Sequence, residues 1–182
     1  MADISIELLL LQLMTGLALG AVYALLAVGL SLIFGMLTVV NFAHGAFFMV
    51  GAFFGVYFLG LTGSFWFSLV LTPLSVGAIG LLCERFLVRP LYGRGIDYPL
   101  LLTFGLSYVM IEAMRVLFGL EGLPTSVPNE LRGVVNLGFG MFPIYRLFLI
   151  LATALIVGGL WLFIEKTRYG LIIRAGSRDP EI

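Results

Sequence analysis

Five apolar runs dominate this sequence, and each is long enough to cross a lipid bilayer. They cover residues 8–34, 37–61, 65–82, 98–118 and 144–164. A spanning helix needs about 20 mostly apolar residues, because about 30 Å of hydrocarbon is crossed at about 1.5 Å per residue. The runs lack the short alternating pattern of membrane strands and are too long for it. The predicted fold class is therefore all-α, a polytopic transmembrane bundle of about five spans.

The composition agrees with a membrane protein, since 61% of the residues are hydrophobic and 11% are charged. A soluble domain carries about 25% charged residues. The first run is too long for a signal peptide, and neither Lys nor Arg precedes it, so we expect it to remain in the mature chain. The zero net charge argues against nucleic acid as a partner.

The positions of Lys and Arg predict the orientation, because loops rich in these residues tend to stay cytoplasmic. Basic residues cluster between the third and fourth runs and after the fifth run; they are Arg85, Arg89, Arg94, Lys166, Arg168, Arg174 and Arg178. The segment before the first run has acids and no base. Five alternating crossings then predict an N-terminus outside and a C-terminus in the cytoplasm.

Two glycine pairs have the spacing that lets helices approach closely. Gly16 with Gly20 and Gly51 with Gly55 each place bare backbone on one helix face. We expect them to serve helix packing, within this subunit or against a second one.

A few polar residues interrupt the apolar runs, where an unpaired charge costs at least about 2.5 kcal/mol. Glu112 and Arg115 are three residues apart, so on a helix they share a face and neutralise one another. Two interpretations are open: a local ion pair near the outer end of the fourth span, or the lining of a pathway.

Asn41 and His44 have the same spacing, at the predicted cytoplasmic start of the second run. Asn41 is suited to cap the second helix, with His44 in its first turn. The alternative is contact with substrate or a partner subunit, including a proton-linked role for His44. A single His without nearby Cys or acidic partners does not predict a metal site.

The chain has neither a phosphate-binding loop nor a nucleophile elbow, so no catalytic residue and no enzyme activity are predicted. If ATP is used, another chain hydrolyses it.

Several ordered motifs resemble one family of membrane proteins. They are residues 20–35 (GAVYALLAVGLSLIFG), 41–45 (NFAHG), 51–52 (GA), 84–85 (ER), 89–91 (RPL) and 167–175 (TRYGLIIRA). Together they are similar to the branched-chain amino acid ABC transporter permeases of the high-affinity importer type.

The resemblance implies a permease subunit that imports branched-chain amino acids, or related small amino acids and amides, by alternating access. The implied location is the cytoplasmic (inner) membrane of a bacterium. The implied partners are a second permease subunit, two cytoplasmic ATPases and an extracytoplasmic binding protein. No cofactor is expected in this chain, since ATP and Mg²⁺ would bind to the ATPases.

The resemblance also implies one permease domain over residues 1–182, with a cytoplasmic segment at 165–182 that leads into an ATPase-coupling helix. The implied coupling residues are Gly170, Arg174, Ala175, Arg178, Asp179 and Glu181. Gly170 would permit the turn, the arginines would supply cationic contacts, and Asp179-Pro180-Glu181 has the character of a helix start. The alternative for the basic residues is topology alone.

Similar permeases continue with about three further spans beyond this motif, so we expect the chain to be the N-terminal part of a longer permease. Two other functions stay open. One is an ion-coupled secondary transporter or channel that uses Glu112, Arg115 and His44 as relay groups. The other is an accessory membrane subunit without transport activity.

Overall fold

The computed structural model describes residues 5–37, 41–123 and 125–178, and most of them are helical. The α-helices are α1 (Ile6–Leu37), α2 (His44–Thr62), α3 (Phe65–Cys83), α4 (Asp97–Phe118), α5 (Ile144–Lys166) and α6 (Arg168–Arg178). A π-helical turn, Glu84–Val88, and a 3₁₀ turn, Arg89–Leu91, extend α3. A second 3₁₀ turn, Asn129–Leu131, precedes a short antiparallel hairpin of β1 (Val134–Asn136) and β2 (Met141–Pro143).

Five of the described helices are long and apolar enough to cross a membrane, which confirms the predicted all-α class and number of spans. They are α1, α2, α3 with its extension, α4 and α5. The second apolar run and its helix do not begin at the same residue. The apolar run begins at residue 37, whereas α2 begins at His44, after a turn in which the His44 N–H donates to the Asn41 carbonyl. Hydropathy alone does not distinguish an apolar turn from an apolar helix.

The chain divides into two compact units. One unit contains α2, α3 and α4, and the other contains α1, the hairpin, α5 and α6. The single permease domain predicted over residues 1–182 stays a prediction.

In the first of these units, α2 packs between α3 and α4. The buried core consists of Ala46 and Val50 from α2 with Met110 and Met114 from α4. The Phe42 N–H near one end of α2 donates to Thr103 Oγ1 of α4. Further along both helices, Phe53 near the middle of α2 stacks on Phe118 at the end of α4 with the ring centroids 5.1 Å apart, so α2 and α4 run in the same direction.

The contact between α2 and α3 is close because it uses glycine. A Cβ atom added at Gly51 would lie 3.8 Å from Val76 Cγ2, and one at Gly55 would lie 3.7 Å from Thr72 Oγ1. The Ser68 hydroxyl donates to the Gly55 carbonyl at 2.7 Å. The predicted role of this glycine pair in helix packing is confirmed. By contrast, a Cβ atom at Gly16 or Gly20 would meet nothing within 4 Å among the described residues.

In the other unit, the hairpin and the start of α5 lie against the start of α1. Phe142 of β2 is the largest fully buried side chain in the described part of the chain. At Gly140, whose φ is +158°, an added Cβ atom would come within 2.8 Å of Leu11 Cδ1. Arg146 Nη1 donates to Thr15 Oγ1 at 2.8 Å. These contacts bring the N-terminal ends of α1 and α5 together.

A side-chain hydrogen bond joins the connection between α3 and α4 to the π-helical turn that extends α3. The Tyr92 hydroxyl donates to Glu84 Oε1 at 3.3 Å. Burial raises the pKa of the Tyr92 phenol, and the neighbouring Glu84 carboxylate raises that pKa further. Tyr92 therefore stays protonated and remains a hydrogen-bond donor at neutral pH.

Large apolar side chains remain exposed along all five spanning helices. In water such a surface would be unstable, but in a bilayer it is covered by acyl chains or by other helices. The fold therefore suits an intramembrane environment.

Candidate functional site

α5 and α6 meet at a corner formed by Thr167. This residue lies between the two helices, with φ −106° and ψ 157°. Its hydroxyl donates to the Phe163 carbonyl at 2.6 Å and accepts the Gly170 N–H at 3.0 Å. Thr167 therefore gives the Phe163 carbonyl a second donor beside its own backbone N–H, and its hydroxyl oxygen also caps the N-terminus of α6.

Gly170 lies in the first turn of α6, packed directly against the backbone of α5. A Cβ atom added at Gly170 would overlap the Ile164 carbonyl and come within 2.6 Å of Ile164 Cα. The sequence suggested a turn at Gly170, but the chain turns at Thr167, three residues earlier. Glycine is needed here because two backbones approach closely, and the turn itself is made by Thr167.

Arg174 reaches back across the corner to α5. Arg174 Nη1 lies 2.6 Å from Glu165 Oε2 and also donates to the Glu165 carbonyl at 3.4 Å. The two side chains are 38% and 50% exposed, so the ion pair is partly solvated and contributes about 0 to 1 kcal/mol. Glu165 lies on α5 and Arg174 lies nine residues later on α6, so the ion pair restricts the angle between the two helices.

Of the described helices, α6 is by far the most amphipathic. Arg168, Tyr169 and Leu171 are exposed, so both charged and apolar groups are accessible at its start. The backbone of Ala175 and Arg178 is helical. The side chains of these two residues, and the whole of Asp179 and Glu181, lie outside the described residues.

The second group of predicted residues lies at the start of α2. Asn41 Oδ1 accepts the Ala43 N–H at 3.0 Å in an Asx-type turn, and Ala43 occupies the N-cap position. In place of the predicted side-chain cap of α2, Asn41 forms a turn two residues before the N-cap position. His44 is the first residue of α2, as predicted, and is half-buried.

Glu112 and Arg115 form the predicted ion pair on α4, with Arg115 Nη1 2.6 Å from Glu112 Oε1. The structure does not bring this pair to His44. Thr103 is the residue of α4 that contacts the turn before His44, and Glu112 follows it by nine residues, about 13 Å along the helix. The two polar groups therefore lie at different depths of the same unit.

Within the described ranges, no three His, Cys, Asp or Glu side chains are grouped closely enough to hold a metal ion.

Comparison with known proteins assigns the family. The family described as branched-chain amino acid transport system / permease component matches residues 12–182. The chain belongs to this family. It is 30% identical to the high-affinity branched-chain amino acid transport system permease protein BraD of Pseudomonas aeruginosa, over 92% of this chain and 59% of the relative. It is 27% identical to the probable permease protein LivH of Methanocaldococcus jannaschii, over 87% of this chain and 51% of that relative.

The chain thus spans between about half and three fifths of the length of these curated relatives. A shorter match, 40% identity over 42 residues, links it to the high-affinity permease protein LivH of Escherichia coli. No solved structure shows a significant match to the chain.

In this member of the permease family, the corner depends on Thr167, Ile164 and Glu165, none of which was among the predicted site residues. A threonine directly before an amphipathic segment is a recognised N-cap signal and could have identified Thr167. Nothing in the sequence pairs Glu165 with Arg174, because their contact depends on the angle between two helices.

Proposed function

We propose that this chain is the membrane-spanning permease subunit of an ATP-binding cassette importer, and that it carries branched-chain amino acids or related small amino acids and amides into the cytoplasm. Family membership and the five spans support the permease role. The proposed location is the cytoplasmic membrane of a bacterium. ATP and Mg²⁺ would bind to two partner ATPases, and a binding protein outside the membrane would deliver the substrate.

The α5–α6 corner is the observation that carries this proposal. A short amphipathic helix follows the last described span after one residue and is tied to that span by Thr167, Gly170 and Arg174. Because the joint is one residue long and the two helix backbones are in contact there, we expect a push on α6 to pass to α5. Its exposed start, with Arg168, Tyr169 and Leu171, suits a soluble partner through charge and apolar contact.

In the proposed mechanism, ATP-driven closure of the ATPase pair moves α6, and the corner passes the movement to α5. Alternating access then results from rocking of the permease halves. Selectivity among branched aliphatic substrates would rest largely with the binding protein.

The test is the substitution Arg174→Glu in the full-length protein, assembled with its ATPases and binding protein. Reversal of the charge should reduce the stimulation of ATP hydrolysis by substrate-loaded binding protein about three- to tenfold, because a charge contact at an interface is lost. The amount of folded permease, measured by size-exclusion chromatography, should not change, since the Glu165 pair is weak.

A charge swap distinguishes docking from internal bracing. The double variant Glu165→Arg with Arg174→Glu restores the pair across the corner but leaves the charge presented to the ATPase reversed. We expect stimulation to remain low in the double variant. Recovery of normal stimulation would show that Arg174 acts only within the corner and would contradict its role in docking.

A further inference from the structure

The span that begins with α3 carries its first charges where the hydrocarbon of a bilayer would end. α3 and its two short turns form one candidate span, Phe65–Leu91, and residues 65–83 contain no charged side chain. About 20 residues cross the hydrocarbon, and Glu84 is the twentieth residue counted from Phe65. The last two turns, residues 84–91, therefore lie at the depth of the lipid headgroups. We call residues 84–91 the basic turn.

Two arginines lie side by side in the basic turn. The Arg89 N–H donates to the Glu84 carbonyl five residues earlier, as in a π-helix. Arg85 and Arg89 are four residues apart, so they are neighbours on one side of this helical turn. Both side chains are exposed, and within residues 5–37, 41–123 and 125–178 neither forms an ion pair. Their charges are available to an anion from outside the chain.

The acids near the basic turn do not neutralise it. The Glu84 carboxylate accepts the Tyr92 hydroxyl at 3.3 Å and pairs with neither arginine. Asp97 is the first residue of α4, where the helix dipole favours an acid. Arg94 adds a third base, so residues 84–97 hold three arginines and two acids. The segment keeps a net positive charge.

Apolar side chains lie between the two arginines. Phe86 is 64% exposed and Leu87 is 41% exposed. At the headgroup boundary such side chains enter the region of the acyl chains, while an arginine extends its charged end toward the phosphates. A soluble anion would satisfy the arginines alone. A phospholipid satisfies the arginines and the apolar side chains together, because it carries a charge and acyl chains in one molecule.

Phosphate is the group that best fits this pair of arginines. A guanidinium forms two parallel hydrogen bonds with a phosphate, and two neighbouring guanidiniums surround it from two directions. Retention of a loop in the cytoplasm requires Lys or Arg near the span. It does not require two arginines side by side, at the point where the span leaves the hydrocarbon.

We propose that the basic turn is a binding site for an anionic phospholipid, with Arg85 and Arg89 on the headgroup phosphate and Phe86 among the acyl chains. This inference goes beyond the importer role and does not depend on it.

Native mass spectrometry of the full-length protein in mild detergent tests the proposal. Phosphatidylglycerol and phosphatidylcholine of equal chain length are added in equal amounts, and the bound lipids are counted. We expect about tenfold more bound phosphatidylglycerol, because each arginine near the headgroups adds to the attraction for an anionic lipid. Equal binding of the two lipids would overturn the proposal. The result does not depend on which end of α3 faces the cytoplasm.

A double variant locates the site. Arg85→Gln with Arg89→Gln should lower the preference for phosphatidylglycerol to about twofold or less. Arg132→Gln with Arg146→Gln is the matched control, since it removes the same charge from two exposed arginines elsewhere. The control should keep the native preference. A native preference in the first variant, or an equal loss in both, would show that the lipid binds elsewhere or responds only to net charge.

A soluble anion distinguishes a lipid site from a phosphate site. Glycerol 1-phosphate in hundredfold excess should leave the bound phosphatidylglycerol in place, because it offers no acyl chains to Phe86. Displacement of the lipid would overturn the lipid assignment.

If the double variant does not remain folded in size-exclusion chromatography, the single variants Arg85→Gln and Arg89→Gln replace it. Each should lower the preference about threefold. Native preference in both would contradict the proposal. Loss of ATP-driven uptake with an intact lipid preference would contradict the importer role and leave the lipid site in place.

Discussion

At the scale of single residues, Thr167 is the residue on which the corner depends most directly. Its hydroxyl is the acceptor for the Gly170 N–H in the first turn of α6. Thr167→Ala should expose this N-terminus and cost about 0.5 to 2 kcal/mol, which raises amide hydrogen exchange in α6 about 2- to 30-fold. Thr167→Ser keeps the hydroxyl and should exchange at nearly the native rate. Equal exchange in the Ala and Ser variants would show that the cap does not stabilise α6.

A substitution at Gly170 tests whether α5 and α6 approach each other closely. Gly170→Ala forces the Ile164 carbonyl aside and should destabilise the corner by about 1 to 3 kcal/mol through overpacking. Trypsin should then cleave faster at Lys166 and Arg168, which lie at the corner.

Gly158→Ala in α5 is the control for this experiment, because a Cβ atom there meets nothing within 4 Å among the described residues. It should leave cleavage at the native rate. A Gly170→Ala protein that resists trypsin as well as the native one would mean that α5 and α6 are not in backbone contact.

At the scale of elements, the α2–α3 contact contains two hydroxyls with opposite expected effects. Ser68 donates to the Gly55 carbonyl, whereas the Thr72 hydroxyl is buried without a hydrogen-bond partner among the described residues. Ser68→Ala should lower stability by about 0.6 to 1.5 kcal/mol, as for other interhelical hydrogen bonds in membranes. Thr72→Val keeps the shape and removes an unsatisfied group, so it should raise stability by about 1 kcal/mol.

Thermal unfolding of the detergent-solubilised protein measures both changes. The two melting temperatures should move in opposite directions from the native value. A decrease in both variants would indicate that Thr72 has a hydrogen-bond partner in the folded protein.

The helices themselves were largely predictable from the apolar runs, because burial in hydrocarbon requires long, uninterrupted apolar helices. Four of the five predicted spans begin within two residues of the observed helices. The start of α2 was not predictable in this way, because Val39-Val40 before it is as apolar as the helix. An Asx-type turn at Asn41 determines that boundary, and hydropathy does not report it.

At the scale of the whole molecule, the packing directions agree with alternating crossings within each unit. The contacts place α2 and α4 parallel in one unit, and the starts of α1 and α5 together in the other. Which side faces the cytoplasm remains a prediction from the distribution of Lys and Arg.

Cysteine labelling in intact cells tests the predicted orientation. In a Cys83→Ala background, Glu121→Cys in the connection after α4 should react with a membrane-impermeant maleimide. Arg94→Cys in the basic connection before α4 should react only after the cells are permeabilised. The reverse pattern would show that the C-terminus lies outside, and α6 would then have no access to a cytoplasmic ATPase.

By itself, the sequence determined that this protein is a bundle of membrane-spanning helices, and its ordered motifs indicated the permease family. These properties depend on the amino-acid composition and on the order of residues along the chain. Tertiary structure decided which residues act together. The contact of Gly170 with Ile164 and the pairing of Arg174 with Glu165 both arise from the angle between α5 and α6. The exposure of the Glu112–Arg115 pair likewise depends on which side of α4 packs against α2, and this is a property of the assembled helices.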